Sequence, residues 1–517
     1  MDEWQLCTPL ASTFTVLLLS FSAWWWLTSS SSRKKPPSPP AFPIIGNLHQ
    51  LGTLHHRSLH QLSKKHGPLM LLHLGSKPTL VVSAADVAKH VLKTHDLSFA
   101  DKPVLGFLKK IFYDLKDLIN LPYGDEWRKL RSIATRELLN TASVKSYNSI
   151  REQEIGLVVE RITRDYCCSN NNSLSATPPP LNLSDMFLSF SNDLISRAAF
   201  GKKHLSRETA RGEKFLTTMV EIVGLLYSFT VGELIPWLGW INSLNGYNAA
   251  IDRAVKLRDE VFDDIIEEHL NMVGPTEGSS GNKHNFVDNL LSIYKGYTPG
   301  VSIDLVSVKA LTLDVLTAAT ETSTTALVWI MTELIKNPKV MKKLQDEIRD
   351  VAKGGKHCIS DEDIQKMHYL KAVIKETLRC HPPISVYTRS ARERVNLMGY
   401  EIQPETMVLI NAWAIGRDPS YWDEPEKFMP ERFLNSSVDF KGFDFQLIPF
   451  GAGRRICPGI GFAEASIKYM IANLVHKFDW ALPDGVKGEE IDVTEKPGLT
   501  IGKKHPLIVV PTLSLSA

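Results

Sequence analysis

A chain of 517 residues with 43% hydrophobic and 22% charged residues is ordinary for a globular protein with a large core. Its net charge of +2 gives no reason to propose nucleic acid as a partner. The six cysteines, Cys7, Cys167, Cys168, Cys358, Cys380 and Cys457, form no CxxC pair and no zinc spacing, which fits a reduced, cytosol-facing setting better than a disulfide framework.

From Trp4 to Ser32 there is no charged residue. As a helix, Trp4 to Leu27 would be about 36 Å long, enough for a hydrocarbon core of ~30 Å. Asp2 and Glu3 precede the stretch, and Arg33, Lys34 and Lys35 follow it, so the positive-inside rule places the body of the protein in the cytosol. A cleavable signal would need a positive n-region and a short apolar core, and both are missing. Residues 1–32 are therefore expected to be an uncleaved membrane anchor. The sequons at Asn171, Asn182 and Asn435 then lie on the wrong side of the membrane for glycosylation. Residues 33–45 are basic and proline-rich (Pro36-Pro37-Ser38-Pro39-Pro40), a stiff extended hinge.

Residues 46–517 read as one large, mainly α body with small β-sheets. Apolar helical periodicity predicts helices over Ser83–Thr94, Glu126–Leu139, Lys145–Tyr166, Glu213–Tyr227, Ile251–Met272, Ile303–Asn337 and Glu362–Cys380. Alternation predicts strands at Leu69–Leu74 and Thr79–Ser83, and polar runs at Ser169–Pro180 and Gly274–His284 predict surface loops. The helix near Asp304–Asn337 is apolar nearly all round, which marks a helix through the centre of the protein. Within it stands Ala318-Ala319-Thr320-Glu321-Thr322-Ser323. A buried Glu321 is costly, and hydroxyls can bond back to the preceding turn and bend the helix. A widened turn beside an acid and an alcohol offers a place for dioxygen and proton-relaying waters, although helix packing alone can also use such residues.

Glu376-Thr-Leu-Arg379 places an acid and a base on one helix face, a spacing that surface ion pairs also show. Near the C-terminus comes Phe450-Gly-Ala-Gly453-Arg-Arg455-Ile-Cys457-Pro-Gly459. Here a lone cysteine sits among glycines that allow close backbone approach, which suits a thiolate bound axially to heme iron. Arg455 would meet a heme propionate, and Phe450 would shield the sulfur.

This loop resembles the heme-binding loop of the cytochromes P-450. The central-helix motif is similar to that family's oxygen-activation sequence, with Glu321 and Thr322 in the acid–alcohol positions and Ala319 where glycine is usual. The ExxR at Glu376 and Arg379, with Arg432 of Phe428-Met-Pro430-Glu-Arg432-Phe433, resembles its Glu-Arg-Arg network, a structural role. Trp127-Arg128-Lys-Leu-Arg131 is similar to its WxxxR, which implies that Trp127 and Arg131 hold a propionate, with Arg389 as a second partner. The resemblance covers essentially the whole chain, and the Ala412–Pro419 string is similar to the plant A-type microsomal group.

The resemblance implies the triangular-prism fold of that family, preceded by one transmembrane helix. It implies heme b as cofactor and electrons from NADPH through a separate membrane-bound NADPH-cytochrome reductase, which docks on the face near Cys457 with help from Arg454 and Lys441. The implied activity is an NADPH- and O2-dependent monooxygenase in the endoplasmic reticulum membrane, facing the cytosol. Its substrate is expected to be a small lipophilic molecule, a terpenoid or phenolic, lined by Leu115–Tyr123, Leu313–Thr322, Ile384–Tyr387 and Leu499–Ile501. A heme-thiolate isomerase or dehydratase and a non-catalytic heme carrier are the alternatives, and Thr322 speaks against both. Tyr387 either orients an oxygenated substrate or serves packing.

Overall fold

A computed structural model describes Ser20 and residues 34–167, 179–227, 230–272, 285–352 and 359–514. Apart from Ser20, the anchor read in Trp4–Leu27 lies outside the described residues, as do Arg33, Cys168, Cys358, Asn171 and the cores of both expected polar loops.

The apolar stripes of the sequence become helices because each buries its stripe against another. Five of them position the site: α1 (Asp125–Ala134), α2 (Leu183–Phe200), α3 (Leu305–Lys336), α4 (His368–Cys380) and α5 (Ile460–Lys477). At 32 residues, α3 runs about 48 Å through the molecule. Asp304 caps it by accepting from Ser307 N at 2.7 Å, and Pro338 just beyond Asn337 starts the next helix. The hydroxyls of Thr312, Thr317, Thr322, Thr324 and Thr332 donate to carbonyls one turn back, which satisfies polar groups inside an apolar surround. The chain remains α-helical throughout, so the expected widened turn at 318–323 does not form.

Four of the expected helices change. That over Lys145–Tyr166 is parted at Tyr147, between Thr141–Ser146 and Asn148–Ile162, and ends in a wide turn at Thr163–Cys167. The helix expected over Glu362–Cys380 is two helices, Asp361–Lys366 and α4, parted at Met367. The carboxylate of Glu347 accepts from Tyr369 N at 2.7 Å and Leu370 N at 2.9 Å, capping α4 from a different helix. The helices expected from Ser83 and Glu126 end in wide turns at His90–Thr94 and Thr135–Leu139. None of the expected helices covers α2, although Leu183, Met186, Phe187, Phe190, Leu194 and Ile195 fall on one buried face.

The first sheet joins β1 (Leu69–Leu74), β2 (Lys77–Val82), β3 (Val386–Ser390) and β4 (Met407–Asn411) in the order β1-β2-β4-β3. β2 and β4 are parallel (Thr79 opposite Met407), and the other pairings are antiparallel. Tyr387 opposite Ile410 and Arg389 opposite Val408 fix which β3 residues reach the centre. A second sheet pairs Ile508–Leu513 with Leu181–Asn182 and Phe478–Ala481. The largest core cluster extends from Phe107 to Val509 and packs α2, α3, α4 and α5 together.

Candidate active site

Gly451 and Gly453 take left-handed backbone angles (φ +72° and +71°) in the loop that delivers Cys457. A Cβ on Gly453 would stand 2.3 Å from the Leu92 carbonyl oxygen, so no other residue fits there without moving backbone. Cys457 N donates to the Phe450 carbonyl at 3.0 Å, closing the loop. The cysteine and Phe450 both border a cavity of about 280 Å³, whose opposite wall is α3. Phe450 tilts against Phe440 with ring centroids 5.2 Å apart. Burial pushes the Cys457 thiol up, against the backbone N–H of Gly459 and the charge of Arg131, which favour the thiolate.

One edge of the cavity is cationic. Lys102, Arg131 and Arg455 are half-buried and border it, and Arg389 is buried beside them on β3. Their partners are uncharged. Arg455 donates to the carbonyls of Ala100 (2.8 Å), Leu118 (3.4 Å), Ile119 (3.3 Å) and Leu121 (2.5 Å). Arg131 donates to Ile456 O (2.8 Å), Arg389 to Thr388 O (2.9 Å) and Lys102 to Thr388 Oγ1 (3.4 Å). Burial, then mutual repulsion, holds Lys102 well below its usual value and Arg455 down at about 10; burial alone does the same for Arg389. Several cations crowded together without a carboxylate in ion-pair contact call for an anionic ligand, and the two propionates of a heme supply that charge. Among the described residues no group of three or more His, Cys, Asp or Glu could hold a metal ion. A single cysteine facing a cavity with an anion-seeking edge suits an iron whose other ligands come from a macrocycle. The donor set fits heme.

Trp127 contributes through its indole N–H, which donates to Leu118 O at 3.0 Å and orients the segment that Arg455 also binds. Thr322 borders the cavity, with its hydroxyl donating to Ala318 O at 2.6 Å, and Ala319 borders it too. Glu321 does not border it. Successive helical residues point about 100° apart, so Glu321 turns toward Phe215 and Leu188 and accepts from Thr500 Oγ1 at 2.8 Å. Leu118, Ile119, Val315, Ile384 and Tyr387 line the cavity as expected, whereas Leu499–Ile501 do not. Thr500 is engaged with Glu321, and Ile501 O accepts from Trp329 at 2.8 Å. The Tyr387 hydroxyl donates to the Pro449 carbonyl, so its ring faces the cavity while its polar end is occupied. Arg454 and Lys441, expected at the reductase face, are each paired, with Asp96 (2.7 Å) and Asp439 (3.4 Å).

Below the cysteine loop the ExxR pair is buried. Arg379 binds Glu376 through two bonds of 2.7 and 2.8 Å, and Arg432 reaches the same carboxylate at 3.1 Å. Arg379 also donates to the carbonyls of Gly416 and Pro425, both at 2.7 Å, tying the irregular segment before the cysteine loop to α4.

The family model described as Cytochrome P450 matches residues 36–510. The chain belongs to the cytochrome P450 family. It is 46% identical to "Cytochrome P450 736A117" of Prunus mume over 92% of this chain and 89% of that protein. It is 45% identical to the tabersonine/lochnericine 19-hydroxylase of Catharanthus roseus (92% of each chain), and 44% identical to the norfluorocurarine oxidase of a Strychnos species (91% of each). A zebra fish cytochrome P450 solved with progesterone superposes with a TM-score of 0.73 at 23% identity, covering 89% of this chain and 99% of that one, a likeness of fold. As a member of this family the P450 is a heme-thiolate monooxygenase, with heme b as cofactor and electrons from NADPH through a reductase partner.

Lys102 and the carboxyl pair of Asp117 and Asp314 escaped sequence reasoning. Asp314 carried a usable signal, an acid inside an apolar stretch of α3, whereas Lys102 carried none.

Proposed function

We propose that this P450 oxidises a small lipophilic plant metabolite, a terpenoid or phenolic, by inserting oxygen at a C–H bond. The observation that carries this reading is the cavity between Cys457 and Thr322, walled by Leu118, Ile119, Leu311, Val315, Ala318 and Ile384. Cys457 would hold the iron through its thiolate, and Lys102, Arg131, Arg389 and Arg455 would hold the propionates, with Trp127 fixing the loop segment that Arg455 binds. Bound there, heme supplies the activation of dioxygen and its transfer to carbon. The chain's own residues orient the substrate by shape, exclude water, and hold a proton at Thr322 Oγ1. Glu321, the acid of the same motif, faces away from the cavity and accepts from Thr500 Oγ1 at 2.8 Å, which leaves it outside direct contact with Thr322.

The protein works at the endoplasmic reticulum membrane, facing the cytosol, and takes electrons from an NADPH-cytochrome reductase. Exposed apolar residues support a bilayer-facing side: Phe42, Ile44 and Ile45 at the end of the hinge, and Trp237, Trp240 and Leu244 further on. Both groups flank the β1–β2 turn, where Gly75 N donates to Ile45 O at 3.2 Å and Ser76 N to Leu234 O at 2.7 Å.

The test is product formation in reductase-containing microsomes offered terpenoid, phenolic and alkaloid panels. NADPH-dependent hydroxylation of a terpenoid or phenolic supports the reading, and turnover confined to alkaloids refutes the substrate class. In the same microsomes Cys457→Ser should abolish the red-shifted Soret band of the reduced carbon monoxide complex. A band that persists would remove Cys457 as ligand. Deleting residues 2–30 should weaken membrane attachment and leave that band intact.

A further inference from the structure

Asp117 and Asp314 meet where the loop over the cavity touches α3. Both are buried, and Asp314 borders the cavity. Asp314 Oδ2 accepts from Leu118 N at 2.6 Å. Asp117 Oδ2 accepts from the backbone and side chain of Asn120 at 2.9 and 2.7 Å. The Oδ1 atom of each is buried and has no hydrogen-bond partner, and because Asp117 directly precedes Leu118, whose N–H binds Asp314, the loop brings the two carboxyls together. Two carboxylates cannot both be ionised in such contact, but one proton between them makes a charge-assisted hydrogen bond and satisfies both orphan oxygens.

The loop fastened there carries the carbonyls that orient the cationic edge. The Leu118 peptide donates to Asp314 on one side and accepts from Trp127 and Arg455 on the other. Ile119 O and Leu121 O accept from Arg455 as well. We propose that Asp117 and Asp314 share one proton, and that this proton fastens residues 117–121 to α3 and so positions Trp127 and Arg455 at the heme edge. Both aspartates are positioning residues. The second half of the proposal rests on the reading of Trp127 and Arg455 as propionate partners.

The electrostatics run in the same direction. Burial, then the charge of Asp117, pushes Asp314 well above the usual carboxylate range, and burial pushes Asp117 up to about 6. The charged groups facing the pair are Lys102 from the segment before the loop and Arg455 from the cysteine loop, with Asp101, Arg131 and Arg389 behind them. Both folded-state values are raised, so the fastening holds at lower pH and is lost as pH rises through the upper of the two steps. A lipophilic substrate against Leu118, Ile119 and Val315 dries the pair and favours the protonated state. Substrate and proton therefore stabilise each other, and substrate affinity falls on the alkaline side.

The experiment is hydrogen–deuterium exchange of residues 115–123 in the holoenzyme between about pH 6 and 9, corrected for intrinsic rates, with heme release to apomyoglobin followed in parallel. Once past the upper step, protection should fall about tenfold per pH unit in the wild type, and heme release should quicken with it. Asp314→Asn and Asp117→Asn each let an amide donate to the remaining carboxylate without a shared proton, so both profiles should be flat. The double variant serves if either single one folds poorly. A flat wild-type profile, or identical steps in wild type and both Asn variants, overturns the shared proton. A step in exchange with unchanged heme release retains the shared proton and overturns the positioning of Trp127 and Arg455.

Discussion

Replacing Glu376 by glutamine tests whether the triad below the cysteine loop holds the fold rather than taking part in the chemistry. The carboxylate is fully buried and accepts from Arg379 at 2.7 and 2.8 Å, from Arg432 at 3.1 Å and from Met429 N at 2.7 Å. Glutamine keeps the volume, removes the charge, and turns an NH2 toward guanidinium donors, so two buried cations lose their counter-ion. Breaking a buried pair from one side costs about 3–5 kcal/mol. A body of about 470 residues unfolds with an entropy near 1 kcal/mol/K at ~2.1 cal/mol/K per residue, so the midpoint should fall by about 3–5 °C. Lys342→Ala is the control: it removes a pair with Asp346 whose side chains are 67% and 56% exposed, and it should shift the midpoint by under about 0.5 °C. Thermal unfolding is read by circular dichroism and by loss of the heme band, and the carbon monoxide spectrum is recorded at low temperature. A Glu376→Gln protein with the parent midpoint would refute the structural assignment, as would one with a normal midpoint and no thiolate band.

Three further outcomes follow from the geometry. Thr322→Ala should retain heme and substrate binding but divert electrons to peroxide, lowering product formed per NADPH by about tenfold or more; unchanged coupling removes Thr322 from proton delivery. Burial opposes ionisation of Glu495, but hydrogen bonds from His56 (3.0 Å) and Arg57 (2.6 Å) outweigh it and hold the carboxyl down at about 2. A depressed carboxylate stabilises above its ordinary value near 4.5 and loses that contribution as pH falls toward 2, so Glu495→Gln should remove up to about 3 kcal/mol at neutral pH and flatten acid unfolding in that window; parallel acid limbs would count against it. Tyr387→Phe deletes the hydroxyl bonded to Pro449 O and should hasten heme loss while keeping substrate affinity within about twofold, because the ring alone faces the cavity; a larger change in affinity would show that the hydroxyl meets substrate.

What the sequence made legible was local. Cysteine, arginine and phenylalanine in the loop at 450–459 are positioned by a few glycines, and the i, i+3 spacing of Glu376 and Arg379 survives any packing of α4. The limits of α3 and of β1 followed from apolar runs with clear caps. Destinations of side chains were not legible. Glu321 and Thr322 are neighbours in the chain, yet the helix sends them to different faces. The break at Met367 is enforced by Glu347 from a separate helix, and Leu499–Ile501 are drawn away by Glu321 and Trp329. Asp117 and Asp314 meet only because the loop crosses α3, a contact nearly 200 residues apart in the chain that no spacing rule encodes.

The polar groups of the site are confined to its boundaries. Cys457 stands on one face of the cavity and Thr322 on the other, with Lys102, Arg131 and Arg455 at one edge. The remaining walls are mostly apolar: the Tyr387 hydroxyl is bonded to Pro449, one oxygen of Asp314 is bonded to Leu118 N, and Ser323 adds a single hydroxyl. Apolar contact yields roughly 25 cal/mol per Å² and is indifferent to direction. A substrate is therefore held by how much surface it buries and aimed by the shape of the walls. Selectivity then rests on small differences of volume, such as the methyl of Ala319 on α3 and the ring of Tyr387 on β3.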